Sequence, residues 1–479
     1  MESIVNCLTT LLPHQTKAVD KLLPIRVGAL FMDMGTGKTR TAIEFAARRE
    51  TQIDHAVWFC PVSLMETVRQ EILKHTDCAS IYVFDEKTSA RSVPQDRLFY
   101  IVGIESMSSS NRAVLAARCL ITPRTFVIVD ESSYIKGHWA IRTKRITAMS
   151  ETARYRMILT GTPISQGVVD LFAQMRFLSP KILGYRSFYS FANNHLVYSK
   201  NIPGKIERVL DIDVLADRIQ PYVYQVTKEE CLDLPGKLHE TRWAKMTGAQ
   251  IDAYYAAKEI FSESASRETE FWKLSHAIFR LFTSLQEIAC GFWNRRGDDN
   301  QFHLSGYENH RLDLLLDTVK EIGEEKIVVW SKFQHNLLQI GQALASECGP
   351  ESVSLLHGGM RPAERNRSID RFRAGARFLV ASPGVGGHGL TLNEARYVIF
   401  FSNGFKYSER IQAEDRCHRL GQERAVTYIN IACTCGIEER ILKALAKKKN
   451  VVEEFRREVE AVKDKEVAQE KFQKMIAEL

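Results

Sequence analysis

Apolar runs recur along the first third of the chain, with helix-length stretches between most of them: Ala29–Met32, Ala56–Cys60, Ile81–Phe84, Leu98–Val102, Phe126–Val129 and Met157–Leu159. A strand that is apolar at every position is covered on both faces, so the pattern predicts parallel strands between two helical layers. A second series repeats the plan: Ile327–Trp330, Val353–Leu356, Phe378–Ala381, Tyr397–Phe401 and Val426–Ile431. The chain therefore reads as two α/β units, over residues 1–180 and 306–440.

The pattern changes in residues 181–305. Leu274, Ile278, Leu281, Leu285 and Ile288 recur at three- and four-residue spacing, the signature of an amphipathic helix. Phe261, Phe271, Trp272, Phe279, Phe282, Phe292 and Trp293 crowd the same region and read as the core of a helical insertion rather than as base-stacking platforms. Residues 297–300, Gly-Asp-Asp-Asn, read as an exposed loop. A charged helical tail is expected over 441–479. One of its apolar stripes begins slightly upstream, at Ile437, Ile441 and Leu445, and a second is Phe455, Val459 and Val462. The tail is expected to brace the second unit, with Lys447, Lys448 and Lys449 able to touch phosphate.

Composition narrows the class only a little. Of 479 residues, 45% are hydrophobic and 26% charged, as in ordinary globular proteins. A net charge of +7 suits a polyanionic partner or a solvated surface equally well. The start lacks the apolar segment of a secretory signal, and no run is long enough to span a membrane, so a cytoplasmic location without membrane attachment is expected. The ten scattered cysteines read as reduced and mostly buried.

The chemistry begins after the first apolar run. Leu30 to Thr39, ending Gly35-Thr36-Gly37-Lys38-Thr39, follows a strand and opens a helix, as a phosphate-binding loop requires. Glycines let backbone amides approach phosphate oxygens, and the helix N-terminus favours negative charge. Met34, Gly35, Thr36, Gly37, Lys38, Thr39 and Arg40 are the expected ATP cradle, with Lys38 on the β- and γ-phosphates and Thr39 on Mg²⁺. The first glycine of the usual pattern is replaced by Met32. Some ninety residues on, Phe126-Val127-Ile128-Val129 runs into Asp130-Glu131. Asp130 is placed to hold Mg²⁺, and Glu131 to orient and deprotonate the attacking water.

With these motifs in order, the chain resembles the superfamily-two helicases and, within them, the Swi/Snf-like DNA translocases, from about residue 8 to about 445. Leu12-Pro13-His14-Gln15 is similar to the family's adenine-reading motif, which makes Gln15 the adenine contact. Cys60-Pro61-Val62-Ser63-Leu64 resembles motif Ia, and Leu159-Thr160-Gly161-Thr162-Pro163-Ile164 motif III. Thr227-Lys228-Glu229-Glu230, then Leu234-Pro235-Gly236-Lys237, resembles a stretch this family carries between its motor domains. Leu285-Gln286-Glu287-Ile288 resembles the helical segment before the second of them. Ile327 to Phe333 resembles motif IV, Ser382 to Leu392 motif V, and Gln412 to Gln422 motif VI.

The resemblance implies two RecA-like domains that use ATP and Mg²⁺. It implies DNA contacts from Ser63, Leu64, Thr160, Gly161, Thr162, Lys332, Ser382, Gly386 and Gly387, and nucleotide contacts from Gln412 and Gly389. Arg416 and Arg419, three apart and expected on one helix face, would be arginine fingers reaching the γ-phosphate from the second unit. His357-Gly358-Gly359-Met360 precedes Arg361, Arg365, Arg367, Arg371 and Arg373, which form either a phosphate track or a solvated surface.

Besides Met32, three stretches depart from the family pattern: Ser132-Ser133 where Ala-His is usual in motif II, Val68 for a tryptophan, and Phe405-Lys406-Tyr407 near the place of a Trp-Asn-Pro. The bare core suits a bacterial or phage protein, expected to be a monomer. The implied activity is ATP-dependent movement on double-stranded DNA with little sequence preference, with room for a protein partner that sets the target. Two alternatives stay open: a strand-separating helicase on DNA or RNA, and an ATP-gated DNA-binding module that hydrolyses poorly.

Overall fold

The computed structural model describes residues 5–161, 168–198, 206–267, 271–296, 301–386, 390–419, 421–448, 476 and 479. It divides into two units, Met1–Asp233 and Leu234–Leu479. Of the positions singled out in the sequence, Thr162, Pro163, Ile164, Gly387, Gly389, Leu420, Lys449, Phe455, Val459, Val462 and the loop 297–300 lie outside the described residues.

In the first unit, seven strands form one parallel sheet. They are β1 (Val27–Met32), β2 (His55–Cys60), β3 (Ile81–Val83), β4 (Phe99–Gly103), β5 (Thr125–Asp130), β6 (Tyr155–Thr160) and β9 (Val223–Val226), ordered β3-β4-β2-β5-β6-β1-β9. Strands β7 (Leu196–Tyr198) and β8 (Ile206–Val209) make a separate antiparallel pair. The apolar runs became strands because helices cover both faces: Val57, Trp58, Phe59, Ile101, Val127 and Ile128 are all fully buried.

The second unit holds a six-stranded parallel sheet. Its strands are β10 (Lys237–Ala244), β13 (Ile327–Trp330), β14 (Val353–Leu356), β15 (Phe378–Ala381), β16 (Tyr397–Phe400) and β17 (Val426–Cys433), ordered β10-β17-β16-β13-β15-β14. Alternate residues separate into two cores. Val328, Trp330, Leu379 and Phe400 pack on one face, and Ile327, Val329, Phe378 and Ile399 on the other. Strands β11 (Phe292–Arg296) and β12 (Phe302–Gly306) form a hairpin of their own.

The expected α/β architecture is present, and the region read as a helical insertion or linker adds to it. That region does carry the helices Gly248–Arg267 and Phe271–Ala289, and Ile278, Leu281, Leu285 and Ile288 are buried. It also supplies an edge strand to each sheet, β9 to the first and β10 to the second. Neither is a continuous apolar run. Strand β10, Lys-Leu-His-Glu-Thr-Arg-Trp-Ala, pairs on one side alone and buries only Ala244. Ile437, Ile441 and Leu445 face inward from the helix Gly436–Ala446 onto the same cluster as Leu281 and Leu285. All ten cysteines are free and six of them are buried. No helix among the described residues is long and apolar enough to cross a membrane.

Candidate functional site

Strand β1 stops at Met32, whose side chain is fully buried, and the chain turns through Asp33–Gly37 into the helix Lys38–Arg48. Gly35 and Gly37 both sit at φ 83°. An L-residue pays about 1–2 kcal/mol for that left-handed conformation. Gly37 carries a second constraint: a Cβ there would fall 2.1 Å from Gln15 Nε2. Thr36 Oγ1 closes the loop on the carbonyl of Asp33 at 2.7 Å. Lys38 Nζ folds over it, donating to the carbonyls of Met32 at 2.7 Å and Asp33 at 3.1 Å. The loop thus lies at a helix N-terminus with an ammonium group above it, a ready anion cradle. Met34 and Thr39 are partly exposed beside it. Arg40 is engaged elsewhere, with Nε on Thr9 Oγ1 at 2.9 Å and Nη2 paired with Glu44 at 2.9 Å.

Gln15 comes to this loop from the helix Pro13–Leu22. Its Nε2 donates to the Thr36 carbonyl at 3.2 Å, and its Oε1 accepts from the backbone amide of Leu12 at 2.9 Å. His14 joins it: Nε2 donates to the same Thr36 carbonyl at 2.7 Å. No spacing rule pointed to His14, because its part depends on two distant segments meeting.

Strand β6 lies between β5 and β1, and register pairs Asp130 with Leu159 and Phe31 with Thr160. The tips of these three strands therefore share one sheet edge, where ligands of open α/β sheets bind. Asp130 is 6% exposed. Burial and the neighbouring Glu131 push its carboxyl up to about 7, against the opposing pull of Lys38. Glu131 follows at φ 49°, a strained position for a residue with a side chain, and its amide donates to Asp130 Oδ1 at 2.9 Å. Ser132 Oγ donates to Gln174 Oε1 at 2.6 Å, which ties this turn to the helix Val169–Leu178. Thr160 is buried, and Gly161 lies against the phosphate loop: a Cβ there would be 3.4 Å from both the Met32 carbonyl and the Met34 amide.

The donors here suit Mg²⁺. A carboxylate whose burial disfavours lone ionisation is relieved by a cation, and Thr39 offers a hydroxyl. No group of three or more His, Cys, Asp or Glu able to cage a metal occurs among the described residues. Phosphate oxygens and water would have to complete the shell, as is usual for this ion.

In the second unit the helix Tyr407–Glu414 carries Gln412 and stops before the two arginines expected on it. Arg416 and Arg419 lie in the turns beyond its end, because Asp415 leaves helical geometry at ψ 0°. They converge nonetheless, both donating to the Leu390 carbonyl, at 3.3 and 3.1 Å. Lys332 is turned inward, with Nζ on Gln286 Oε1 at 2.9 Å and 3.5 Å from the centre of the Phe405 ring. Burial lowers its ammonium to about 8. Ser63 is exposed, while Leu64 packs into the core. Ser382 precedes, and Gly386 ends, the single helical turn Pro383–Gly386 after β15. Several arginines of the helix Pro362–Ala374 hold backbone carbonyls: Arg365 that of Gly358, Arg371 that of Pro350, and Arg373 that of Thr391.

The SNF2-related domain matches residues 14–291, and the helicase conserved C-terminal domain matches residues 310–421. The chain belongs to the SNF2-related family. A TATA-binding protein-associated factor, BTAF1 of Arabidopsis thaliana, is 24% identical over 87% of this chain and 24% of its own length. Chromodomain-helicase-DNA-binding protein 1-like of Danio rerio is 25% identical over 85% of this chain and 40% of its own. This chain thus spans less than half the length of either relative. The Sulfolobus solfataricus SWI2/SNF2 ATPase core in complex with dsDNA is a solved structure similar over 92% of each chain, with 23% identity and a TM-score of 0.44.

Within the SNF2-related match, two of the motif departures have local explanations. Met32, in place of a glycine, ends a strand with ordinary backbone and contributes its carbonyl to Lys38. Ser132 and Ser133 fill a short turn in which Ser132 takes up Gln174.

Proposed function

We propose that this protein is an ATP-hydrolysing motor that moves on double-stranded DNA. The observation that carries the reading is the shared sheet edge of the first unit. A glycine-dependent anion cradle capped by Lys38 lies there beside the buried Asp130–Glu131 pair. Asp130 and Thr39 would hold Mg²⁺, whose charge would neutralise the phosphates. Lys38 would exchange its two carbonyl partners for β- and γ-phosphate oxygens. Glu131 is assigned the attacking water, whose proton it accepts. Arg416 and Arg419 are assigned the negative charge that builds on the γ-phosphate during turnover; they are carried by the other unit.

Membership of the SNF2-related family supports DNA as the polymer, and one relative is named for DNA binding. Contacts to phosphate would position duplex without reading its sequence. ATP hydrolysis should therefore be stimulated by duplex DNA of any sequence and weaken steeply with salt. ATPase assays across duplex, single-stranded and branched DNA and RNA test this. Lys38→Ala and Glu131→Gln are expected to abolish turnover. Triplex displacement without unwinding of forked DNA supports translocation. Robust unwinding would make the chain a strand-separating helicase, and an absence of stimulation by any nucleic acid would overturn the motor.

A further inference from the structure

The chain crosses from the first unit to the second between Asp233 and Leu234. The residues just past this crossover form a clamp. His418 Nε2 donates to the Pro235 carbonyl at 2.7 Å. The Val426 amide donates to the carbonyl of Gly236 at 3.3 Å, where β10 starts to pair with β17. Lys237 Nζ then reaches both Glu414 Oε2, at 3.3 Å, and Asp415 Oδ1, at 3.6 Å. Pro235 and Lys237 thus hold the segment on either side of Arg416, and Gly236 between them anchors the crossover to the sheet.

Burial makes this clamp more than a surface ion pair. The Glu414 and Asp415 side chains are 5% and 7% exposed, and that of Lys237 is 26% exposed. Glu414 is held from its other side by Arg410 at 2.8 Å. Arg410 in turn donates to Asn403 Oδ1 at 2.6 Å and to Asn430 Oδ1, and stacks 3.4 Å from the centre of the Phe400 ring. The helix Tyr407–Glu414 therefore ends on a fixed carboxylate, and the next turns are pinned by Asp415 and His418. Arg416 lies between two pinned neighbours, and Arg419 directly follows the second.

We propose that Lys237 is a positioning residue for Arg416 and Arg419. Through Glu414 and Asp415 it sets the geometry of the arginine-bearing turn and couples that turn to the chain crossover. The proposal rests on the assignment of those arginines to the γ-phosphate. Lys237 touches neither nucleotide nor reacting atoms in this role. It acts on turnover and not on ATP capture, because the phosphate loop belongs to the other unit.

The test measures duplex-DNA-stimulated ATPase of the full chain, with kcat and KM for ATP taken separately. Lys237→Met keeps the stem of the side chain and removes the charge, and Lys237→Arg keeps the charge. We expect Lys237→Met to lower kcat by about tenfold to a hundredfold, the order expected of a misplaced catalytic group. KM should stay within about twofold, as it does when only transition-state contacts are lost. Lys237→Arg should recover most of kcat. In an Arg416→Ala, Arg419→Ala background, Lys237→Met should have no further effect. Thermal melts establish that each variant is folded, and a Glu414→Gln chain provides a second route should Lys237→Met fail to fold. A wild-type kcat in folded Lys237→Met or Glu414→Gln, while Arg416→Ala lowers kcat, overturns the clamp alone. So do losses that multiply in the combined variant. A wild-type kcat in Arg416→Ala and Arg419→Ala overturns the arginine assignment and the clamp with it.

Discussion

The side-chain amide of Gln15 occupies the space that a side chain at Gly37 would need. Gln15 Nε2 donates to the Thr36 carbonyl at 3.2 Å, and a Cβ on residue 37 would come within 2.1 Å of that nitrogen. The positive φ of Gly37 adds backbone strain to the overlap for any other residue. Gly37→Ala is expected to displace Gln15 and distort the loop together. ATP affinity, measured by fluorescent-nucleotide titration, should fall by at least about tenfold, which corresponds to about 1.4 kcal/mol. Unchanged affinity would show that the loop adapts.

Asp130 makes the stability of the ligand-free protein depend on pH. Its carboxyl stands at about 7 in the folded chain against an ordinary 3.8, mainly through burial and then through Glu131. Between those values the folded state binds more protons than the unfolded state. This contribution to stability is therefore complete below about pH 4, falls as the pH rises through 7, and is flat beyond. Urea unfolding at pH 5 and pH 8 in chelator should show wild type losing more stability across that interval than Asp130→Asn does. An identical pH dependence in the two chains would place the Asp130 carboxyl at its ordinary value.

Arg311 and Glu438 form an ion pair at 3.2 Å with side chains 0% and 1% exposed. Arg311 also donates to the Ile431 carbonyl and stacks 5.1 Å from the Phe401 ring centre. Removing one partner leaves the other charge buried, a loss of about 3–5 kcal/mol. Arg311→Leu should lower the unfolding free energy by that order. Arg311→Leu combined with Glu438→Gln should recover part of it, because no bare charge remains. A double variant as unstable as the single one would mean that packing, and not charge, dominates.

Ser132 is expected to matter for stability before it matters for chemistry. Its hydroxyl serves Gln174 Oε1 at 2.6 Å in a buried setting. Ser132→Ala leaves that oxygen without this donor, a cost of about 1–3 kcal/mol. Denaturant unfolding should register the loss, and Ser132→Ala combined with Gln174→Leu should offset it.

Most strands were legible in the chain, because a strand buried on both faces must be apolar throughout. Val353–Leu356 and Phe378–Ala381 became β14 and β15 without a shift of boundary. The glycine-lysine loop and the Asp130-Glu131 strand tip were legible for a related reason: each needs its residue types within a few positions of one another. Strands β9 and β10 were not legible, since their side chains are only partly covered and carry no continuous apolar pattern.

The sequence by itself therefore determined the two α/β units and the chemistry of the phosphate loop, because hydrophobic burial and backbone sterics act locally. Only the tertiary structure decided which side chains those loops would meet. Gln15 against Gly37, Arg40 on Thr9, Lys332 turned onto Phe405, and Lys237 on Glu414 and Asp415 all join residues that the register of the sheets or the packing of helices brings together. The helix that was to carry Arg416 and Arg419 also ended early, at Glu414. Long-range ion pairs and close contacts leave no periodic trace in a chain, since their cost and gain are settled only when distant segments exclude water together.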